Sequence, residues 1–161
     1  MFSLKNFLFP SISFEIKSQK SPEEIALILK EETSSDSFGE NSFYGTVSPS
    51  EFKLTQNPPR FVRNSFTPVI LGKISQEYGK TTVSIQMRMA LPVQIFCFIW
   101  QLPLPFVSLL GILFSVTEGI SVGLPFFLLP IVFIAFLNLL IYVGFHIPAK
   151  STKQWLETWL S

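Results

Sequence analysis

The sequence predicts an α+β membrane protein: a small antiparallel sheet with one or two covering helices, joined to a two-helix transmembrane hairpin. Three observations predict this class. Nearly all charged residues precede Met89, two long later stretches lack Lys, Arg, Asp and Glu, and the N-terminal part alternates polar and apolar residues. The mean hydropathy is +0.43. A chain divided in this way has one part solvated by water and one solvated by lipid.

The N-terminal residues 1–88 are predicted to form a cytoplasmic α+β domain. Ser11–Lys17 alternates and predicts a strand. The run Ser21-Pro-Glu-Glu24 has the residues of a capping box, with Ser as N-cap and Pro at the first helical position. A helix is therefore expected to begin here and to end near Glu32. The polar stretch Thr33–Asn41 is expected to be a loop.

Further short strands complete the predicted sheet. Alternation predicts strands at 43–47, at 51–55 and at 81–89, and one or two more within 60–74. Tyr78-Gly79-Lys80 has the composition of a hairpin turn. The predicted order is β-α-β-β-β-β, then the membrane hairpin, then a final helix.

The two uncharged stretches are assigned to a transmembrane hairpin over 89–149, with helices at about 91–117 and 124–146. They contain 29 and 31 residues, whereas a helix needs about 20 to cross the hydrocarbon core. Pro103 and Pro105 predict a kink or a break near Gln101–Pro105. The alternative, two buried helices of a soluble protein, would need a larger polar shell than the remaining residues provide.

Flanking charge predicts the orientation of this hairpin. Lys73, Lys80 and Arg88 precede the first apolar helix, and Lys150 and Lys153 follow the second. The connecting segment carries only a glutamate, Glu118. By the positive-inside rule, both termini are expected to be cytoplasmic.

Four polar side chains within the apolar helices are predicted to make interhelix contacts: Gln94, Gln101, Asn138 and His146. The alternative role is a polar path for an ion or a proton. Since no carboxylate or lysine lies in these stretches, we favour hydrogen-bonded contacts between the helices.

Residues 150–161 are predicted to form a C-terminal amphipathic helix. Ser151 and Gln154 have the spacing of a second capping box, and the helix has an apolar stripe that includes Trp155 and Leu156. The stripe could pack on the sheet or lie in the lipid headgroup layer. We favour the sheet, because its apolar face needs a cover.

The sequence predicts no catalytic residue, cofactor or metal site, and the protein is not expected to be an enzyme. It contains none of the glycine-rich phosphate-binding motifs, no nucleophile elbow and no paired zinc-binding histidines. One His and one Cys leave little for a metal site or a nucleophile–base pair, and the single Cys excludes an intrachain disulfide. The net charge of +1 gives no reason to expect nucleic acid binding.

Candidate contacts with a ligand or a lipid headgroup lie ahead of the last strands: Arg60, Arg63, Asn64 and Ser65. Arginine forks suit phosphate oxygens, and the neighbouring amide and hydroxyl are further donors. The structural alternative is a strand with snorkelling arginines and an Asn-Ser turn.

The run Arg63-Asn-Ser-Phe-Thr-Pro-Val-Ile-Leu-Gly72, placed ahead of two apolar helices, resembles a group of bacterial two-helix membrane proteins that share an Arg-Asn-Ser-Phe-x-Pro-x-x-x-Gly-like run. The resemblance implies a bacterial inner membrane location and names no activity.

Three functions compete at this point. The first is a membrane-anchored, non-enzymatic module that binds a protein partner, or a second copy of itself, at the cytoplasmic face. The second is a binder of lipid or of a small apolar ligand, in a cavity of the α+β domain. The third is a subunit of a membrane transport complex. Membrane lipids are expected partners in all three.

Overall fold

A computed structural model describes residues 10–34, 42–57 and 64–161. The chain divides into two compact units. An α+β unit comprises Met1–Ala90 and Gly144–Ser161, and a hairpin unit comprises Leu91–Val143. The hairpin unit is therefore an insertion between two parts of the α+β unit.

The strands and helices of the described residues follow in chain order. The strands are β1 Ser11–Ser18, β2 Thr33–Ser34, β3 Phe43–Val47, β4 Glu51–Gln56, β5 Val69–Glu77 and β6 Lys80–Arg88. The helices are α1 Pro22–Glu31, α2 Leu91–Gln101, α3 Leu104–Thr117, α4 Ile120–Ile141 and α5 Ile147–Leu160, with a π-helical turn, Tyr142–His146, between the last two.

The α+β class is confirmed, but the sheet is larger than the small antiparallel sheet that the sequence predicts. Within the described residues it has six strands in the order β1-β6-β5-β4-β3-β2. All neighbours are antiparallel except β2 and β3, which are parallel. The sequence predicts a loop over Thr33–Asn41, but Thr33–Ser34 forms β2, and the rest of that stretch lies outside the described residues. Two polar residues carry no periodicity, and they form a strand only by pairing with β3.

Alternation along the strands separates a covered face from an open face. Cross-strand register places Ile16 opposite Val83 and Ile70 opposite Met87 on the covered face. Most side chains of this face are buried, among them Phe43, Phe52, Leu54, Ile74, Ile85 and Met89. Hydrophobic burial on this face is therefore the main term that holds the unit together.

Helix α1 begins where its capping box predicts. The Ser21 hydroxyl accepts a hydrogen bond from the Glu24 backbone N–H at 3.2 Å, and the Glu24 carboxylate accepts one from the Ser21 N–H at 2.7 Å. Ile25 and Leu29 then face inward and are buried. Local capping and the apolar stripe thus act together on this helix.

Helix α5 packs on the covered face of the sheet. Leu156 and Leu160 are fully buried, and the ring of Trp155 lies 4.9 Å from that of Phe43. The Lys153 ammonium lies 5.0 Å from the ring centroid of Phe14, within cation–π range.

The predicted capping box at Ser151 is wrong. Helix α5 begins at Ile147 and follows the π-helical turn directly, so Ser151 lies inside the helix. Backbone N–H groups need a cap only where a helix starts, and no start exists at Ser151.

The turn predicted at Tyr78-Gly79 joins β5 to β6. Both of its central residues have positive φ, 51° for Tyr78 and 76° for Gly79. Glu77 and Lys80 pair directly on either side of it. This is the two-residue hairpin geometry whose twist matches that of antiparallel strands.

Two helical stretches are long and apolar enough to span a membrane: Leu91–Thr117, with 27 residues, and Ile120–Leu160, with 41 residues. In their most apolar windows only 11% and 17% of the residues are buried. The first stretch is divided into α2 and α3 at Leu102–Pro103, within the region where the prolines predict a break. The second begins at Ile120, before the predicted residue 124, directly after the link residue Gly119.

Within the hairpin unit, α3 and α4 touch backbone to backbone at two glycines. A Cβ on Gly111 would lie 2.5 Å from the Phe127 nitrogen, and one on Gly123 would collide with the Gly111 carbonyl and with Ser115. Gly111 and Ser115 are four residues apart, as are Gly119 and Gly123. This small-xxx-small spacing is typical of helices that pack closely in membranes.

We expect Gly123→Val to destabilise the hairpin unit by about 1–3 kcal/mol, since the added side chain has no room against the α3 backbone. Circular dichroism of the full chain in mild detergent would measure the loss as a lower thermal midpoint. Ala135→Val is the matched control, because Ala135 is exposed on the same helix. Equal midpoints for the two variants would contradict the close contact.

Candidate functional site

The amide of Asn64 is hydrogen-bonded to backbone atoms on both of its sides. Its nitrogen donates to the Gly144 carbonyl at 2.8 Å, and its oxygen accepts from the Phe66 N–H at 3.0 Å. The Asn64 carbonyl accepts from the Thr67 hydroxyl at 2.8 Å. All four residues belong to the α+β unit. The side chain thus joins the 64–67 turn to the π-helical segment.

The Gly144 carbonyl needs this donor because of a proline four residues later. In an α-helix the N–H of residue 148 would donate to it, but Pro148 has no N–H and its ring crowds that carbonyl. The wider π-helical turn, Tyr142–His146, occurs at this position. Asn64 therefore supplies this carbonyl with a hydrogen bond from a distant turn, at a position where residue 148 has no N–H to donate.

Gly144 also lies too close to the turn to carry a side chain. A Cβ at this position would lie 2.7 Å from the Phe66 Cβ and 3.0 Å from the Asn64 amide oxygen. Asn64, Phe66, Gly144 and Pro148 thus form one interdependent set, the Asn64 cluster. This cluster was not predicted from the sequence, although one signal for it is visible there: the spacing Gly-x-x-x-Pro of Gly144 and Pro148 within an apolar helix.

The other predicted ligand contacts are less informative. Arg60 and Arg63 lie outside the described residues. Ser65 is exposed beside the cluster. The bonds to Gly144 and Phe66 use one N–H and one acceptor position of the Asn64 amide. Ligand binding by these four residues stays a prediction.

The polar residues predicted to join the apolar helices are divided between the two units. Gln94, Gln101 and Asn138 lie in the hairpin unit, whereas His146 lies in the α+β unit. The Asn138 amide donates to the Ile134 carbonyl of its own helix at 2.7 Å. This bond uses one amide hydrogen without crossing to the other helix. Contacts between the helices through this set stay a prediction.

The open face of the sheet carries a mixed polar surface around Leu71, which is half-buried. Register places Leu71 between Gln86 of β6 and Lys53 of β4. Lys73, two residues along the same strand, lies between Ser84 and Glu51. Farther across, the Ser84 hydroxyl lies 3.4 Å from the Glu15 carboxylate.

Two solvent-open depressions meet at Leu71 and Lys73 on this surface. One has a volume of about 540 Å³ and is also lined by Thr46, Glu51 and Lys53. The other has a volume of about 510 Å³ and is also lined by Ser13, Glu15, Ser84 and Gln86. The open face thus combines two depressions, hydrogen-bonding groups and charges of both signs around one apolar residue, Leu71.

This surface can bind through hydrogen bonds, ion pairs and apolar contact. Among the described residues, no group of three or more His, Cys, Asp or Glu side chains could hold a metal ion. The chain's one imidazole, His146, and its one thiol, Cys97, belong to different units.

No model of a known protein family matches the chain, and no curated protein matches it significantly. The resemblance of the Arg63–Gly72 run to bacterial two-helix membrane proteins gains no support from these comparisons and stays an expectation.

We expect Asn64→Ala to destabilise the α+β unit by about 1–3 kcal/mol, because it removes the Asn64 hydrogen bond to the carbonyl of the buried Gly144. In a Pro148→Ala background, the residue at 148 regains an N–H that can donate to this carbonyl. The cost of Asn64→Ala should then fall by about 1 kcal/mol.

Urea unfolding of the full chain in detergent, followed by tryptophan fluorescence, would measure this cycle. Ser65→Ala, at an exposed neighbouring position, is the control and should change the free energy of unfolding little. Strictly additive effects of the Asn64 and Pro148 substitutions would show that the two residues do not share the Gly144 carbonyl.

Proposed function

We propose that the protein is a membrane-anchored, non-enzymatic module whose α+β unit binds a protein partner at the cytoplasmic membrane face. The observation that carries the proposal is the open face: a half-buried Leu71 surrounded by two depressions and by charges of both signs. Reversible protein–protein interfaces ordinarily have an apolar centre and a polar rim, and Leu71 with its polar surroundings has this arrangement.

The groups around Leu71 are available to a partner. The side chains of Lys53, Lys73 and Gln86 are exposed and make no hydrogen bond or ion pair with another residue of the described part. Their conformational freedom and hydration would be exchanged for contacts with the partner on binding.

The membrane anchor is supported by the hairpin unit. It combines apolar helices of spanning length with small-residue backbone contact at Gly111 and Gly123. Because Ala90 and Gly144 belong to the same compact unit, the chain that leaves at Ala90 must return by Gly144. Such an insertion crosses a membrane an even number of times, which supports two crossings.

The proposed orientation follows from charge. Arg88 and Lys150 lie close to the two ends of the apolar stretches, whereas the link between α3 and α4 carries only Glu118. The positive-inside rule therefore supports a cytoplasmic α+β unit and an external link. A bacterial inner membrane is the setting that the Arg63–Gly72 resemblance implies.

Ligand binding in an interior cavity has less support. Leu54, Ile70 and Leu156, which face the interior between sheet and helices, are at most 1% exposed. The two depressions that meet at Leu71 and Lys73 are open to solvent. A transport role would need hairpins assembled around a polar path, and no specific observation favours one.

Substitution at the centre of the open face tests partner binding. We expect Leu71→Glu to reduce the recovery of copurified protein from mild detergent at least tenfold, because it places a charge at the centre of the interface. Leu27→Glu is the matched control, since Leu27 is an exposed leucine of the same unit. Quantitative mass spectrometry would measure the recovery. Unchanged recovery with Leu71→Glu would contradict binding at this face.

Topology is tested by thiol labelling in a Cys97→Ala background. We expect Glu118→Cys in intact cells to react with a membrane-impermeant maleimide, and Ser161→Cys to react only after permeabilisation. The chain should also stay with the membrane in alkaline carbonate. Release of the chain by carbonate would contradict the proposed anchor. Labelling of Ser161→Cys from outside the cell would contradict the proposed orientation.

A further inference from the structure

Tyr78 combines an unfavourable backbone conformation with complete exposure. At the first central position of its turn it has a φ of 51°, where Asn, Asp or Gly is ordinarily found. A bulky aromatic residue with positive φ is a conformational outlier. Such strain persists where the surrounding structure imposes it, and it is common at functional sites.

No contact with another described residue offsets this strain. The relative exposure of Tyr78 is 103%, so its ring packs against none of the residues that the structure describes. The turn itself is held by the paired strands on either side, with Glu77 opposite Lys80 and Gln76 opposite Thr81. The paired strands thus hold Tyr78 in a backbone conformation that is unfavourable for a bulky residue and leave its ring exposed.

We propose that Tyr78 is an anchor residue that inserts into an apolar pocket of the protein partner bound by the α+β unit. This inference rests on the proposed function and adds a second contact point to the open face. Tyrosine is enriched among residues that dominate binding energy, since its ring gives a large contact area for few rotatable bonds. Its hydroxyl adds a hydrogen bond at the end of the pocket.

The surroundings of Tyr78 favour a protein pocket over a lipid surface. Its neighbours at the tip are Glu77, Gly79 and Lys80, so the ring stands among charged residues and not on a broad apolar face. Interfacial insertion ordinarily uses such a face.

The test separates stability from binding. Tyr78→Asn should raise the urea midpoint of the full chain in detergent, because Asn tolerates positive φ. The same substitution should reduce recovery of the copurified partner at least tenfold. Tyr78→Phe, which keeps the ring and the strain, should retain most of it. Leu27→Ala is the control for an exposed apolar residue of the same unit and should change neither quantity by much.

A photoreactive p-benzoyl-phenylalanine at position 78, introduced in the cells that make the protein, identifies what the ring touches. We expect a discrete adduct with the protein that copurifies with the unmodified chain. Adducts with lipid alone would overturn the proposal in favour of a membrane contact. An adduct from the same probe at Lys73 but not at Tyr78, or a partner recovered equally with Tyr78→Asn, would overturn the anchor while leaving the proposed function intact. No protein adduct from either position would overturn both.

Discussion

The covered face of the sheet must be kept from water, and the N-terminal part of the chain cannot do this alone. Helix α1 has ten residues and buries Ile25, Ala26 and Leu29. Among the described residues, further cover comes from the other side of the hairpin, where Phe145, Leu156 and Leu160 are fully buried. Because hydrophobic burial dominates folding, residues on both sides of the hairpin contribute to the stability of the α+β unit. The inserted apolar helices must therefore return the chain to this unit for the described core to be complete.

In the Asn64 cluster, one polar side chain compensates for a proline, Pro148, close to the point where the chain returns to the α+β unit. Pro148 deprives the Gly144 carbonyl of its helical donor, and a buried carbonyl without a partner is costly. The amide of Asn64 supplies the donor while its oxygen holds the Phe66 N–H. Donors that read in sequence as a phosphate site can therefore serve a structural need elsewhere in the chain. Sequence spacing alone does not separate these roles, since the partner lies eighty residues away.

Features carried by local signals could be predicted from the sequence, and features that depend on distant partners could not. The Ser21 capping box and the Tyr78-Gly79 turn rest on neighbouring residues, and period-two alternation revealed the longer strands. Strand β2 was missed because it exists only by pairing with β3. For the candidate site, the sequence predicted a role for Asn64 but not its partner, Gly144. It also did not show that two depressions meet at Leu71, because their position depends on the register of several strands.

The open face and the hairpin tip are close enough to serve one partner. Lys73 lines both depressions and is five residues before Tyr78, which corresponds to roughly 17 Å along an extended strand. An interface of ordinary size buries about 800 Å² on each partner and spans a greater distance than this. Binding energy in such interfaces concentrates in a few buried anchors, while surrounding polar contacts align the partners and exclude water. The strained aromatic tip and the mixed-charge face, which begins five residues before it, have the properties that this division requires. The tip supplies apolar burial, and the face supplies orientation.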